Sequence, residues 1–383
     1  KRLHAADIAA VIVALAGIFA RPSTAGDPGV GWHLKTGEWI LTQRAIPHVG
    51  PFLLSSGDKP WVATQWLADV LLTAVYQLAG FSLLHLLTIV LFLISHLLIP
   101  GGVLRRAGIP PLIAMVALLL GAMIGSVQWI VRPVLLGFVC FSIAYSHAFS
   151  LWERKGTSTL AWRDLIGAPI LFVCWANLHS SFPLGLFLYF IALFLPKMGV
   201  TESRISLRLA FFVLLTGVTL LNPYGLALHQ NMFGLVDSQY FMSLNKEWLS
   251  PDFQAPEFAR IAVIFAVLFF GALLGFAKRV SLFEAVAAVL FVFLSLQSRR
   301  YLPFCAITLT IVIARELLAA TELCAEKWRA TLPNLASLLL DWKTSSRTIP
   351  IATTLILAVT TLFVLTTDHL PARSAAEFSL DAH

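Results

Sequence analysis

Continuous apolar runs recur along this chain, near residues 6–20, 64–80, 82–100, 111–128, 134–151, 165–179, 182–196, 206–221, 259–277, 281–297, 301–317 and 349–366. They are unbroken rather than alternating, and alternation at period two is what a membrane β-barrel requires. Lipid offers the backbone no hydrogen-bond partners. A helix satisfies its own, so helices are what such runs build. The chain is therefore read as an all-α, polytopic transmembrane bundle of about ten to twelve helices. Several runs fall short of the ~20 residues of a full crossing, which implies tilt or partial insertion.

Composition agrees with that class. Of 383 residues, 58% are hydrophobic and 12% charged, against about 45–50% and about 25% in a soluble domain. The net charge of +7 suits basic loops on one membrane face and contact with anionic lipid headgroups. No basic cluster is interleaved with aromatics, so nucleic acid is not a partner. Cys140, Cys174, Cys305 and Cys324 stand apart without metal-ligand spacing, and no metal or other cofactor is expected. A phosphate loop of the G-x-x-x-x-G-K type is missing, which excludes ATP-driven transport by this chain. Residues 1–317 are read as one membrane module, with loops 21–62 and 222–258 outside it. Residues 318–347, with Glu322, Glu326, Lys327, Trp328 and Arg329, read as a cytoplasmic amphipathic linker. Residues 348–367 read as a last crossing and 368–383 as the start of an external tail. The first run has no convincing small-residue cleavage site and is read as a retained helix.

Lys and Arg in short loops mark the cytoplasmic side. Lys1–Arg2, Arg154–Lys155, Lys197 with Arg204, and Lys278–Arg279 fall there, so the N-terminus is expected in the cytoplasm. Loops near 21–62, 128–133, 177–183, 222–260 and 297–303 then face outward. One conflict arises. If the runs 64–80 and 82–100 both cross, Arg105–Arg106 and segment 21–62 cannot both obey the rule. Either one of those runs does not span, or Arg105–Arg106 breaks it; segment 21–62 is kept outside.

The outward loops carry nearly all the chemistry-bearing residues. Segment 21–62 holds Asp27, Trp32, His33 and Lys35, with a short interfacial helix expected over 36–44, ended by Pro47. Gln65–Trp66 follows. Later loops bring Arg132, then Asn177 and His179, then Asn222 and Tyr224, then Glu247, then Arg299 and Arg300. Taken singly, each has an ordinary membrane role. Tryptophans form an interfacial belt. Arginines snorkel to headgroups. Asn and His bridge helices. Asn222-Pro223-Tyr224-Gly225 stops a helix. Gathered on one face, they also suit a phosphate-linked glycan. Arg binds phosphate, Trp stacks on sugar or isoprenoid, and a carboxylate accepts a proton.

The run Gly26-Asp27-Pro28-Gly29-Val30-Gly31-Trp32-His33-Leu34-Lys35, continued by Pro51-Phe52, Lys59-Pro60-Trp61 and Gln65-Trp66-Leu67, resembles the first external loop of bacterial GT-C-type membrane glycosyltransferases. Within them it resembles a multi-pass group with that loop. Arg132-Pro133, Trp175-Ala176-Asn177-Leu178-His179, Asn222-Pro223-Tyr224-Gly225 and Glu247-Trp248 are similar to further motifs of the group, and the likeness covers about residues 6–310. It implies a catalytic base at Asp27 and substrate contacts from Trp32, His33, Lys35, Gln65, Trp66, Arg132, Asn177, His179, Asn222, Tyr224, Glu247, Arg299 and Arg300. Gly29, Gly50, Ser180 and Gln65 stand where the group has Asp/Glu, Asp, Gly and an acid. Lacking those acids, the chain is expected to be metal-independent if active. Related chains run on into an external domain, so the end at His383 is read as the start of one.

The function so implied is inverting transfer of a sugar from a polyprenyl-phosphate donor to an acceptor on the periplasmic face of a bacterial inner membrane. Its partners are the lipid-linked donor, membrane lipids and other membrane subunits. Two alternatives stay open: a non-catalytic accessory or scaffold subunit, and a transporter of lipid-linked saccharide. A transporter should show inverted repeats with broken helices, and no repeat is found. A scaffold should lack a cavity joining Asp27 to the arginines.

Overall fold

The computed structural model describes residues 27, 29–52, 60–155, 160–197, 205–237, 243 and 245–328. It is 79% helical, and among the described residues the only extended pairing is a lone bridge between Val49 and Pro60. The expected run at 6–20, most of the linker, the last crossing and the tail lie outside the described residues. In chain order the helices are α1 (Gly29–Gln43), α2 (Trp66–Leu93), α3 (Ile99–Arg106), α4 (Pro111–Gly125), α5 (Val134–Glu153), α6 (Trp162–Leu178), α7 (Phe182–Phe194), α8 (Ile205–Val218), α9 (Leu226–Asp237), α10 (Pro256–Leu273), α11 (Leu282–Gln297) and α12 (Leu302–Trp328). The all-α expectation therefore holds. Four stretches, 66–106, 111–128, 134–153 and 299–324, are long and apolar enough to cross a membrane, and α7, α8, α11 and most of α10 are shorter apolar helices.

Local chemistry sets several helix starts. Proline occupies one of the first two positions of α4, α7 and α10, where no N–H is needed. Ser281 Oγ accepts the Glu284 N–H while the Glu284 carboxylate accepts the Ser281 N–H, a capping box that opens α11. Asp27 plays the cap for α1: its carboxylate accepts the Gly29 N–H at 3.3 Å and its carbonyl the Val30 N–H at 3.2 Å. That cap moves the expected interfacial helix. It begins at Gly29 rather than Thr36, because packing against α2 overrides the weak helix propensity of Gly29, Gly31 and Gly37.

The packing orders the bundle by its two ends. Asn177 at the C-terminal end of α6 accepts from Trp66 at the start of α2. At the other end, Lys155 donates to the Leu195 carbonyl, Lys197 to Glu153, and Arg106 to Ser146. Farther along the chain, Arg279 pairs with Glu322 at 2.6 Å, and Arg315 with Glu284 at 2.9 Å. Helices α5 to α8, and α10 to α12, run alternately between the ends. The central element is α12: 83% of its apolar window is buried, against 50–61% for the other three long stretches.

The stretch 66–106, where the charge-rule conflict arose, is broken within its first half. Ala79 and Gly80 leave helical geometry, Gly80 at φ +62°, a left-handed conformation that favours glycine. Before the break, residues 66–78 pack on α1, and Leu72, Leu84, Val30, Leu34 and Val131 share one small apolar cluster. Leu72 and Leu84, on the two sides of the break, thus belong to one cluster, and the apolar run continues from Leu84 to Arg106. A π turn at Ile94–Leu98 precedes Pro100, absorbing the hydrogen bond that proline cannot make. Helix α12 runs on past residue 317 to Trp328.

The α1–α2 contact depends on Gly37. A Cβ there would overlap the Asp69 carbonyl and the Thr73 hydroxyl. Thr73 meanwhile donates to the Leu34 carbonyl at 2.9 Å. Gly37→Ala is expected to destabilise by roughly 1–3 kcal/mol through overpacking, read as a lowered Tm in detergent. An unchanged Tm would contradict this close approach.

Candidate functional site

One arginine stands between two carboxylates. Arg132 lies in the turn joining the 3-10 segment Ser126–Gln128 to α5, and the burial of its neighbour Val131 against Val30 and Leu34 anchors that turn. Its Nε and Nη2 both donate to Asp27, the second at 2.7 Å, and its Nη1 pairs with Glu247 at 2.5 Å. The side chains are 9% (Asp27), 24% (Arg132) and 18% (Glu247) exposed. Such a bidentate fork is the strong form of a charge-assisted bond. Burial works against the Arg132 charge, but its bonds to Asp27 and the two nearby carboxylates prevail, and its pKa lies above the ordinary value. Gly29 has a local reason: a Cβ there would lie 3.2 Å from both the Arg132 guanidinium and the Asp27 carboxylate.

Glu247 is held by its own turn. Asn245 Oδ1 accepts the Glu247 N–H at 3.0 Å, and the Asn245 carbonyl accepts the Trp248 N–H. The Glu247 carbonyl takes bonds from Ser298 Oγ and the Arg300 N–H, while the Arg299 N–H donates to Leu249. This docks the α11–α12 connection onto the 245–250 turn. It brings the Arg300 guanidinium over the Trp248 ring at 4.6 Å, a cation–π contact.

A second acid–base pair adjoins the first. His33 stands one turn after Gly29 on α1, and its Nδ1 is 2.8 Å from Asp69 Oδ1. The His33 side chain is 15% exposed and that of Asp69 5%. His179 is buried, with Nδ1 accepting the Ser181 N–H at 3.1 Å and Nε2 without a partner among the described residues. Burial, with the positive charge of Arg300, pushes its pKa well below the ordinary histidine value. His179 is thus neutral.

Several expected contact residues turn out to brace the structure. Asn177 Oδ1 accepts from Trp66 Nε1, and its Nδ2 donates to the Val173 and Leu221 carbonyls, so it ties three segments together. Asn222 closes its own turn, accepting the Tyr224 N–H and donating to Thr219 and Gly225. Tyr224 Oη donates to the Pro47 carbonyl at 2.7 Å and accepts the Ala63 N–H at 3.1 Å, fastening the loop before α2. Burial raises its pKa, against the opposing Ala63 hydrogen bond. The carbonyl of Gln65 accepts the Asp69 N–H. Trp32 meets Phe52 and Trp61 edge-on at 5.4 and 5.8 Å. Lys35 forms an exposed pair with Glu38 at 2.9 Å. Two residues on from His33, it lies on the opposite side of α1.

Asp27, Arg132, Glu247, Arg300, His33 and His179 are therefore brought to one end of the bundle, and Asp69 joins them. Asp69 went unremarked in the sequence, although a lone acid opening an apolar run is a functional signal. Among the described residues no three His, Cys, Asp or Glu side chains gather as metal ligands would. Compared with family models, curated proteins and solved structures, the chain matches none.

Proposed function

We propose that this protein transfers a sugar from a polyprenyl-phosphate donor to an acceptor at the periplasmic face of a bacterial inner membrane. The observation that carries this reading is the Asp27–Arg132–Glu247 cluster beside Arg300 and Trp248. Asp27 and Glu247 balance Arg132 and Arg300, and Arg299 adds a surplus positive charge. A phosphate arriving there competes with Asp27 for Arg132. The carboxylate so released accepts the proton of an acceptor hydroxyl. The acceptor oxygen bonds to the anomeric carbon, the bond to the phosphate oxygen breaks, and the arginines take up the charge on the departing phosphate. Positive groups placed where charge develops lower the barrier most. The basic residues gathered at the other end of the bundle suit a cytoplasmic face there.

Two proton acceptors are present. Asp27 is the one that the resemblance assigns. His33 is the other: with Nδ1–H donated to Asp69, its Nε2 carries a lone pair. On this reading His33 binds an oxygen of the substrate. His33→Gln should then retain transfer within about tenfold of the parent, the worth of one hydrogen bond. Loss of transfer in His33→Gln, with Asp27→Asn still active, would move the base to His33.

The accessory-subunit alternative also has an observation in its favour. One guanidinium clasped by two carboxylates is how a helix cap, a turn and a loop are locked together. The measurement that separates the two is release of polyprenyl phosphate from polyprenyl-phosphate hexoses by the purified protein, with membrane extract added as the source of acceptor hydroxyls and extract alone as the control. An enzyme releases it and a clasp does not.

A further inference from the structure

A second site lies at the opposite end of the bundle. Arg132 and Arg154 flank the two ends of α5, roughly 30 Å apart at 1.5 Å per residue. Around Arg154 a cavity of about 680 Å³ opens between α5, α6 and α7, within the usual size of ligand pockets, ~300–1,000 Å³. Ile143, His147, Ser150 and Arg154 line one wall at helical spacing, and Gly167 with Ala168 leaves room on the other. A Cβ on Gly167 would meet nothing within 4 Å.

The polar lining favours an anion. Its one carboxylate, Asp164, is engaged on both oxygens. Oδ1 takes His147 Nε2 and Arg154 Nη2, both at 2.9 Å, and Oδ2 takes the Ala161 N–H at 2.7 Å. His147 Nδ1 is in turn 2.6 Å from Tyr189 Oη. Asp164 thus orients His147 and Arg154 rather than repelling a ligand. Arg163 at the rim is exposed, with its guanidinium 5.5 Å from the Trp162 ring. Two guanidiniums, an imidazole and the Ser150 hydroxyl surround the cavity.

The rim is what an acyl chain requires. Trp162, Ile166 and Ile170, at i, i+4 and i+8 on α6, are 67%, 52% and 58% exposed. Together they form an exposed apolar stripe on the outer side of α6, beside the cavity. Trp162 closes it at the basic end of the bundle, the interfacial position favoured by tryptophan. We infer that the cavity between α5, α6 and α7 binds the phosphate headgroup of an anionic membrane lipid, with Arg163, Arg154 and Ser150 on the phosphate and an acyl chain along Trp162, Ile166 and Ile170.

The test is native mass spectrometry of the full chain, released from nanodiscs of equal phosphatidylglycerol and phosphatidylcholine. The wild type should retain phosphatidylglycerol at least fivefold over phosphatidylcholine. Gly167→Leu fills the cavity without touching a charge, and should abolish the preference at an unchanged Tm. Arg163→Gln should reduce it severalfold. Because both changes lie far from Arg132, a lipid bound at the Asp27 cluster would be unaffected by them. Equal retention of the two lipids, or full preference in folded Gly167→Leu, overturns the inference. A third arm adds millimolar inorganic phosphate in detergent. Stabilisation that Arg163→Gln removes, with no lipid preference, assigns the site to a soluble phosphate and overturns the lipid reading.

Discussion

Arg132→Leu is expected to cost roughly 3–5 kcal/mol of stability, the penalty for leaving buried carboxylates without their partner. Asp27 and Glu247 would face each other nearly buried, at 9% and 18% side-chain exposure, with the guanidinium gone. The loss reaches three segments together: the cap of α1, the turn before α5 and the 245–250 turn that holds Arg300. Arg132→Lys keeps the charge but not the fork, so it should fall between parent and Leu. Thermal unfolding of the three proteins in one detergent checks this order. A Leu variant as stable as the parent would mean that the carboxylates are solvated, and that the cluster does not hold the site together.

Asp27→Asn is expected to lower sugar transfer by about 10²–10⁴-fold, the contribution of a positioned proton acceptor. Its effect on folding should be smaller than that of Arg132→Leu. Asparagine caps a helix as well as aspartate does, so the bond to the Gly29 N–H survives. Arg132 keeps Glu247 as its counter-ion. A transfer assay at matched folded concentration reads the change. Turnover equal to the parent would remove Asp27 from the chemistry and leave it as a helix cap alone.

Much of the fold was legible because lipid narrows the choices. Unbroken apolar runs specify helices, and charges in short loops group them by end. That grouping survives in the packing, where Arg106, Lys155, Lys197 and Arg279 collect at the end away from Arg132. The break at Ala79–Gly80 was not legible, since apolar residues flank it on both sides and hydropathy is blind to a change of direction. The start of α1 was hidden by its glycines, whose low propensity is offset by a close contact with α2 formed far along the chain.

The site was legible in part for the same reason. Polar residues in membrane loops are few, so Asp27, Arg132, Glu247 and Arg300 were all in view. Which of them touch was not, because a spacing of 105 residues between Asp27 and Arg132 carries no local signal. Asn177 and Asn222 show the converse. Their side chains are engaged by backbone carbonyls and turns, a use that residue type alone does not distinguish from ligand binding. Asp69 reads in the sequence as one acid in an apolar helix. Only its partner His33, 36 residues earlier, makes it part of a pair.

Binding of a polyprenyl phosphate to the protein in nanodiscs tests the central claim most directly, because it asks for the carrier and not for an unidentified sugar. The site at Arg132 and Arg300 predicts saturable binding to the wild type, weakened at least tenfold in Arg300→Gln and unaffected in Gly167→Leu at the other end of the bundle. Binding that is absent, or equal in the wild type and folded Arg300→Gln, would contradict a lipid-phosphate site beside Asp27.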